Sequence, residues 1–105
     1  KGFIMNEDIA IELDETIERT VKEPDFYKVV FLNDEQTPME FVIEMLKEIF
    51  GHSEETSKSI TLTIHNEGAG VVGVYTHEIA EQKGIETVTA ARASGFPLQV
   101  KVEVE

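Results

Sequence analysis

The 105-residue sequence has no cysteine, no tryptophan and three prolines, and sets only nine Lys+Arg against 21 Asp+Glu. Without thiols there is no disulfide, thiol nucleophile or thiolate metal site, which fits a reducing interior. The formal charge of −12 removes the basic surface that nucleic-acid binding and docking on anionic membranes require; basic surfaces and cationic peptides are the favoured partners. No apolar run approaches the ~18 to 20 residues of a membrane span. The chain opens on Lys1, which leaves its natural start open, and it carries no signal-peptide pattern. A length of 105 residues suits one domain with one modest core.

Residues 1–25 hold eight acidic and three basic side chains, and their apolar residues are interrupted too often for a wide helical stripe. They read as a flexible acidic arm, with a short helix around Asp14 to Val21, serving either partner contact or solubility. From Phe26 the composition changes. Phe26–Leu32 is β-branched and aromatic, as in a largely buried strand. Thr37-Pro38-Met39-Glu40 spells a capping box with proline at the first helical position, so the sequence predicts a helix from Pro38 to Gly51. Ser53, followed by Glu54 and Glu55, opens a second helix. Ile60–Ile64 then conflicts with it: β-branched alternation favours strand, the nearby cap favours helix. Gly68, Gly70 and Gly73 bracket a turn before a short strand, Val71–Tyr75. Thr76 caps a third helix running towards Ser94, with Gly95 and Pro97 as stops, and 98–105 alternates as a final strand. The sum is a two-layer α/β domain with helices on one face of a short sheet.

Few constellations in the chain carry chemistry. Gly68-x-Gly70-x-x-Gly73 matches the dinucleotide spelling but runs into a strand instead of opening a helix, so it reads as a glycine turn. Asp34, Glu35 and Glu40 could suggest a carboxylate pair, but capping accounts for Glu40. His52, His65 and His77 lack metal spacing. Asn33, Asp34 and His65 form a different set: amide oxygen, carboxylate and imidazole all accept hydrogen bonds, as an ammonium requires. Beside a hollow lined by Met39, Val42 and Ile64, they would read a free amine joined to a large apolar side chain, the first residue of a peptide.

Tyr27-Lys28-Val29-Val30 through Leu32-Asn33-Asp34-Glu35, Thr37-Pro38-Met39-Glu40-Phe41-Val42, Ile64-His65-Asn66-Glu67-Gly68, Gly73-Val74-Tyr75-Thr76-His77-Glu78-Ile79-Ala80-Glu81 and Pro97-Leu98 together resemble ClpS. This family of bacterial and plastid adaptors delivers N-degron substrates to the Clp AAA+ protease. The resemblance covers residues 26–105, with residues 1–25 as the extension that engages the unfoldase. It implies a β-α-α-β-α-β order with a three-stranded antiparallel sheet against three helices, and so a helix at Ile60–Ile64.

It further implies that Asn33, Asp34 and His65 receive the α-amine, and that Thr37, Met39, Val42, Thr61, Ile64 and Leu98 shape the side-chain pocket. Glu78 and Lys83 would contact the N-terminal domain of a ClpA- or ClpC-type unfoldase. Substrates would begin with Phe, Tyr, Trp or Leu. The implied protein is a monomer without cofactor, metal or catalysis, in the bacterial cytoplasm or a plant plastid stroma. Thr61 stands where relatives often carry Met, Ala90 where they carry an aromatic, and Gly84 where a stronger helix former is usual. The competing readings are an acidic partner-binding domain without N-terminal recognition and a small hydrolase.

Overall fold

The computed structural model describes residues 25–105. The arm at 1–24, with the helix expected around Asp14 to Val21, lies outside the described residues. Six elements follow: β1 (Phe26–Leu32), α1 (Met39–Glu48), α2 (Glu54–Glu67), β2 (Ala69–Thr76), α3 (His77–Ala93) and β3 (Gln99–Val104). Both outer strands run antiparallel to β1 in the order β2-β1-β3. The implied β-α-α-β-α-β order is therefore observed. No helix among the described residues is long and apolar enough to cross a membrane.

Strand alternation puts Val29 and Phe31 on the helix-covered face of β1, where both are fully buried. They pack in one core with Val42, Met45, Leu46 and Phe50 of α1 and its end, Ile64 of α2, and Leu98. On α3 the buried positions are Ala80, Gly84, Thr87 and Ala91. Small residues at helical spacing let this helix lie close to the sheet.

Three sequence expectations need correction. First, α1 starts at Met39, not Pro38; Pro38 stands at the cap in extended conformation and Thr37 makes no cap bond. Second, Thr76 holds the cap position of α3 without a side-chain cap bond. Third, only Gly68 of the three-glycine run is in a turn, with φ of 90° as the C-cap of α2. Gly70 and Gly73 lie inside β2, which is longer than expected. A Cβ on Gly70 would sit 2.8 Å from the Ile64 side chain, so its hydrogen lets α2 close onto the strand. The Tyr75 ring occupies the corresponding space above Gly73.

The Ile60–Ile64 conflict resolves as helix. Ser57, Thr61 and Ile64 form the buried face of α2, and Thr61 Oγ1 donates to the Ser57 carbonyl at 2.8 Å. Bonding back by one turn satisfies the buried hydroxyl within the helix itself. Between α1 and α2, His52 Nε2 lies 2.6 Å from the Val72 carbonyl. A carbonyl only accepts, so Nε2 carries the proton and ties this turn to β2. Val72 is the extra residue where the β1–β2 register shifts.

Gly84 offers a stability test. A Cβ there would make ordinary contacts with Val100 and Val102, at 3.5 and 3.6 Å. Gly costs about 1 kcal/mol relative to Ala in a helix. Gly84→Ala should therefore raise the melting temperature by about 4–8 °C in a thermal scan; a lower value would mean that α3 cannot accept the methyl group.

Candidate functional site

The site forms where the end of β1 meets the end of α2. After Leu32 the chain leaves the sheet, and the Asn33 N–H donates to the Gly68 carbonyl at 2.9 Å. The Gly68 N–H in turn donates to the Ile64 carbonyl at 2.9 Å. These two bonds seat Asn33 against the last turn of α2, which carries Ile64 and His65.

Next in the chain, Asp34 organises the loop into α1. Its Oδ1 accepts from the Gln36 N–H at 2.8 Å and the Thr37 N–H at 2.7 Å, and its Oδ2 accepts from the Thr37 hydroxyl at 2.8 Å. That explains why Thr37 does not cap α1: its hydroxyl is given to a carboxylate, the stronger acceptor. A carboxylate has about four acceptor directions. Three are filled, and one on Oδ2 stays open.

Partial burial by itself would raise the Asp34 pKa. The Thr37 and Gln36 hydrogen bonds, with the nearby Arg92 charge, outweigh it and hold the carboxyl below its ordinary 3.8. The unfolded chain therefore takes up this proton first as pH falls. Stability from Asp34 is complete above 3.8 and is lost as pH drops through the lower folded pKa. Thr37→Val, which removes one of these bonds, should flatten the loss of stability between about pH 5 and pH 2 in urea titrations; an unchanged acid limb would count against this loop as its source.

Beside Asp34 lies a hollow of about 10 Å³ walled by Asn33, Asp34, Thr37, Val42, Ile64 and Leu98. Phe31 and Leu32 complete it. Six sequence-predicted residues thus meet at one point. Asn33 is exposed and Asp34 half-buried, while His65 is exposed on α2 one residue beyond Ile64. Met39, at 37% exposure, and Thr61, at 3%, are not on the walls. Thr61 lies nearly one turn behind Ile64 with its hydroxyl satisfied, so no unbalanced polar group arises there.

Away from the hollow, Glu78 is exposed in the first turn of α3. Lys83 has a role within the fold. Its Nζ donates to the Ile49 carbonyl at 2.7 Å and stands over the Phe50 and Tyr75 rings at 5.7 and 5.3 Å. A cation at the end of α1 suits the helix dipole and the ring faces together.

Sequence reasoning missed Arg92. Its guanidinium donates to the Phe96 and Leu98 carbonyls at 2.9 and 2.8 Å and so fixes the turn that presents Leu98. A cation in the last turn of α3, four residues before Phe96, was the available signal.

Comparison with known proteins points to one family. A family model described as ATP-dependent Clp protease adaptor protein ClpS matches residues 22–101. The ATP-dependent Clp protease adapter protein ClpS of Paraburkholderia xenovorans is 49% identical over 86 residues, 82% of this chain and 83% of that protein. Its counterpart from Burkholderia mallei is 50% identical over the same shares. Among solved structures, Agrobacterium tumefaciens ClpS2 bound to L-phenylalaninamide superposes with a TM-score of 0.77 at 42% identity. That match covers 79% of this chain and all of the other.

Proposed function

The chain belongs to the ClpS family of Clp protease adaptors, and from that premise we propose that it binds proteins beginning with Phe, Tyr, Trp or Leu and hands them to a Clp unfoldase. The observation that carries this reading is the meeting of Asn33 and Asp34 with the apolar walls Val42, Ile64 and Leu98. Phenylalaninamide, the ligand of the Agrobacterium relative, has the chemistry such a site would read: a free amine on an aromatic residue, with its carboxyl blocked as in a peptide.

The amine donates to the Asn33 side-chain oxygen, to the open direction of Asp34 and to a His65 ring nitrogen. Protonated His65 has no lone pair to offer, so neutral imidazole is the binding form. The side chain enters the hollow. At about 10 Å³ this space has room for about one water, so a ring must part its walls. Val42 and Ile64 are β-branched and stiff at χ1, so the opening has to come from the remaining walls, among them the loop at Thr37.

Delivery uses a second surface, Glu78 and Lys83 against the N-terminal domain of a ClpA- or ClpC-type unfoldase, with residues 1–24 engaging that enzyme during hand-off. The adaptor acts as a monomer in the cytoplasm and performs no chemistry itself. Adding the chain to a Clp unfoldase and protease should speed degradation of a reporter with N-terminal Phe, but not of one beginning with Ser. Removing residues 1–24 should keep Phe-peptide binding and stop delivery; normal degradation with the shortened chain would contradict the hand-off role.

A further inference from the structure

A second cavity, of about 280 Å³, shares Leu32, Asn33 and Asp34 with the first and is completed by Pro97 and Gln99. The shared residues form a partition. Along β1, Phe31 lines only the first cavity; along the segment entering β3, Leu98 lines only the first, whereas Pro97 and Gln99 line only the second. Leu32 and Gln99 are direct cross-strand partners, which places the second cavity at the sheet corner beside the amine cluster.

We infer that this second cavity receives the side chain of residue 2 of the bound peptide, an inference that rests on the proposed amine site. An extended peptide sends successive side chains to opposite sides, about 3.3 Å apart along the chain. With the α-amine held at Asn33 and Asp34, the first side chain goes to the Val42 and Leu98 side of the partition and the second to the Pro97 and Gln99 side. Leu32 and Pro97 supply apolar surface and the Asn33 and Gln99 amides polar surface, while the Asp34 carboxylate, also on this lining, spends its acceptor directions on Gln36, Thr37 and the amine. Those walls fit a large neutral side chain with an apolar stem, such as Leu or Gln, and give Gly nothing to contact.

Free-amine peptides beginning Phe-Gly, Phe-Leu and Phe-Gln, otherwise identical, test this alongside phenylalaninamide. Phe-Leu and Phe-Gln should bind about threefold to tenfold more tightly than Phe-Gly, as expected for partial burial of such side chains. Gln99→Trp fills the cavity from an exposed strand position where an aromatic is well tolerated. It should reduce that ratio to less than about twofold and leave phenylalaninamide affinity unchanged. Equal affinities in the parent protein, or a ratio that survives in Gln99→Trp, would overturn the second subsite while phenylalaninamide binding upholds the first. Failure of phenylalaninamide to bind the parent protein would overturn both.

Discussion

Replacing Asn33 with Ala is expected to weaken binding of a free-amine Phe peptide by about 10- to 100-fold and to leave the melting temperature almost unchanged. A hydrogen bond to a charged group contributes roughly 1.5 to 3 kcal/mol, because the ammonium must recover in the site what it loses from water. The fold does not depend on this side chain. Asn33 is exposed, and its tie to α2 runs through the backbone N–H to Gly68, which Ala retains. Calorimetric titration paired with a thermal melt separates the two effects, and parental affinity in Asn33→Ala would remove Asn33 from the amine site.

Leu98→Ala should produce a large loss of stability. Leu98 is 1% exposed and packs in the same core as Val29, Phe31 and Val42. Truncating a buried Leu costs about 2–5 kcal/mol through lost burial and the cavity left behind, a large share of the ~5–15 kcal/mol that holds a domain together. The urea midpoint should fall by the corresponding amount with the slope unchanged. The same truncation widens the hollow, so affinity should shift from Leu towards Trp at the first peptide position. A midpoint within experimental error of the parent would mean that Leu98 is not a core wall.

Much of this was legible in the sequence because local physics and tertiary packing agree there. Phe26–Leu32 is a strand with the boundaries its composition implied. Ser53 caps α2 by accepting from the Thr56 N–H, and Gly95, at a φ of 81°, follows α3 as expected. Where the reading slipped, a longer-range or competing contact decided. Asp34 took the Thr37 hydroxyl, which moved the start of α1 by one residue. Gly70 is required by the Ile64 side chain lying over it, and no local rule distinguishes that from a turn.

The three proposed amine ligands could be nominated from their acceptor chemistry, whereas the contact that seats Asn33 against the last turn of α2 could not. It depends on one backbone bond from Asn33 to Gly68, and nothing in the spacing announces it. Thr61 was placed on the pocket by resemblance alone, and the wall is formed by Ile64 and Phe31 instead. Arg92 escaped notice because its partners are carbonyls of a turn, which leave no trace in residue type.

The central claim is that the site reads a free amine together with a large apolar side chain. Titrating the full chain with a Phe-initiated peptide and with its N-acetylated twin tests this most directly, since the two differ only in the charge and donors of the first nitrogen. The expected result is saturable binding of the free-amine peptide and affinity at least about 10- to 100-fold weaker for the acetylated one. Equal affinity for the two peptides, or no binding of either, would contradict the account.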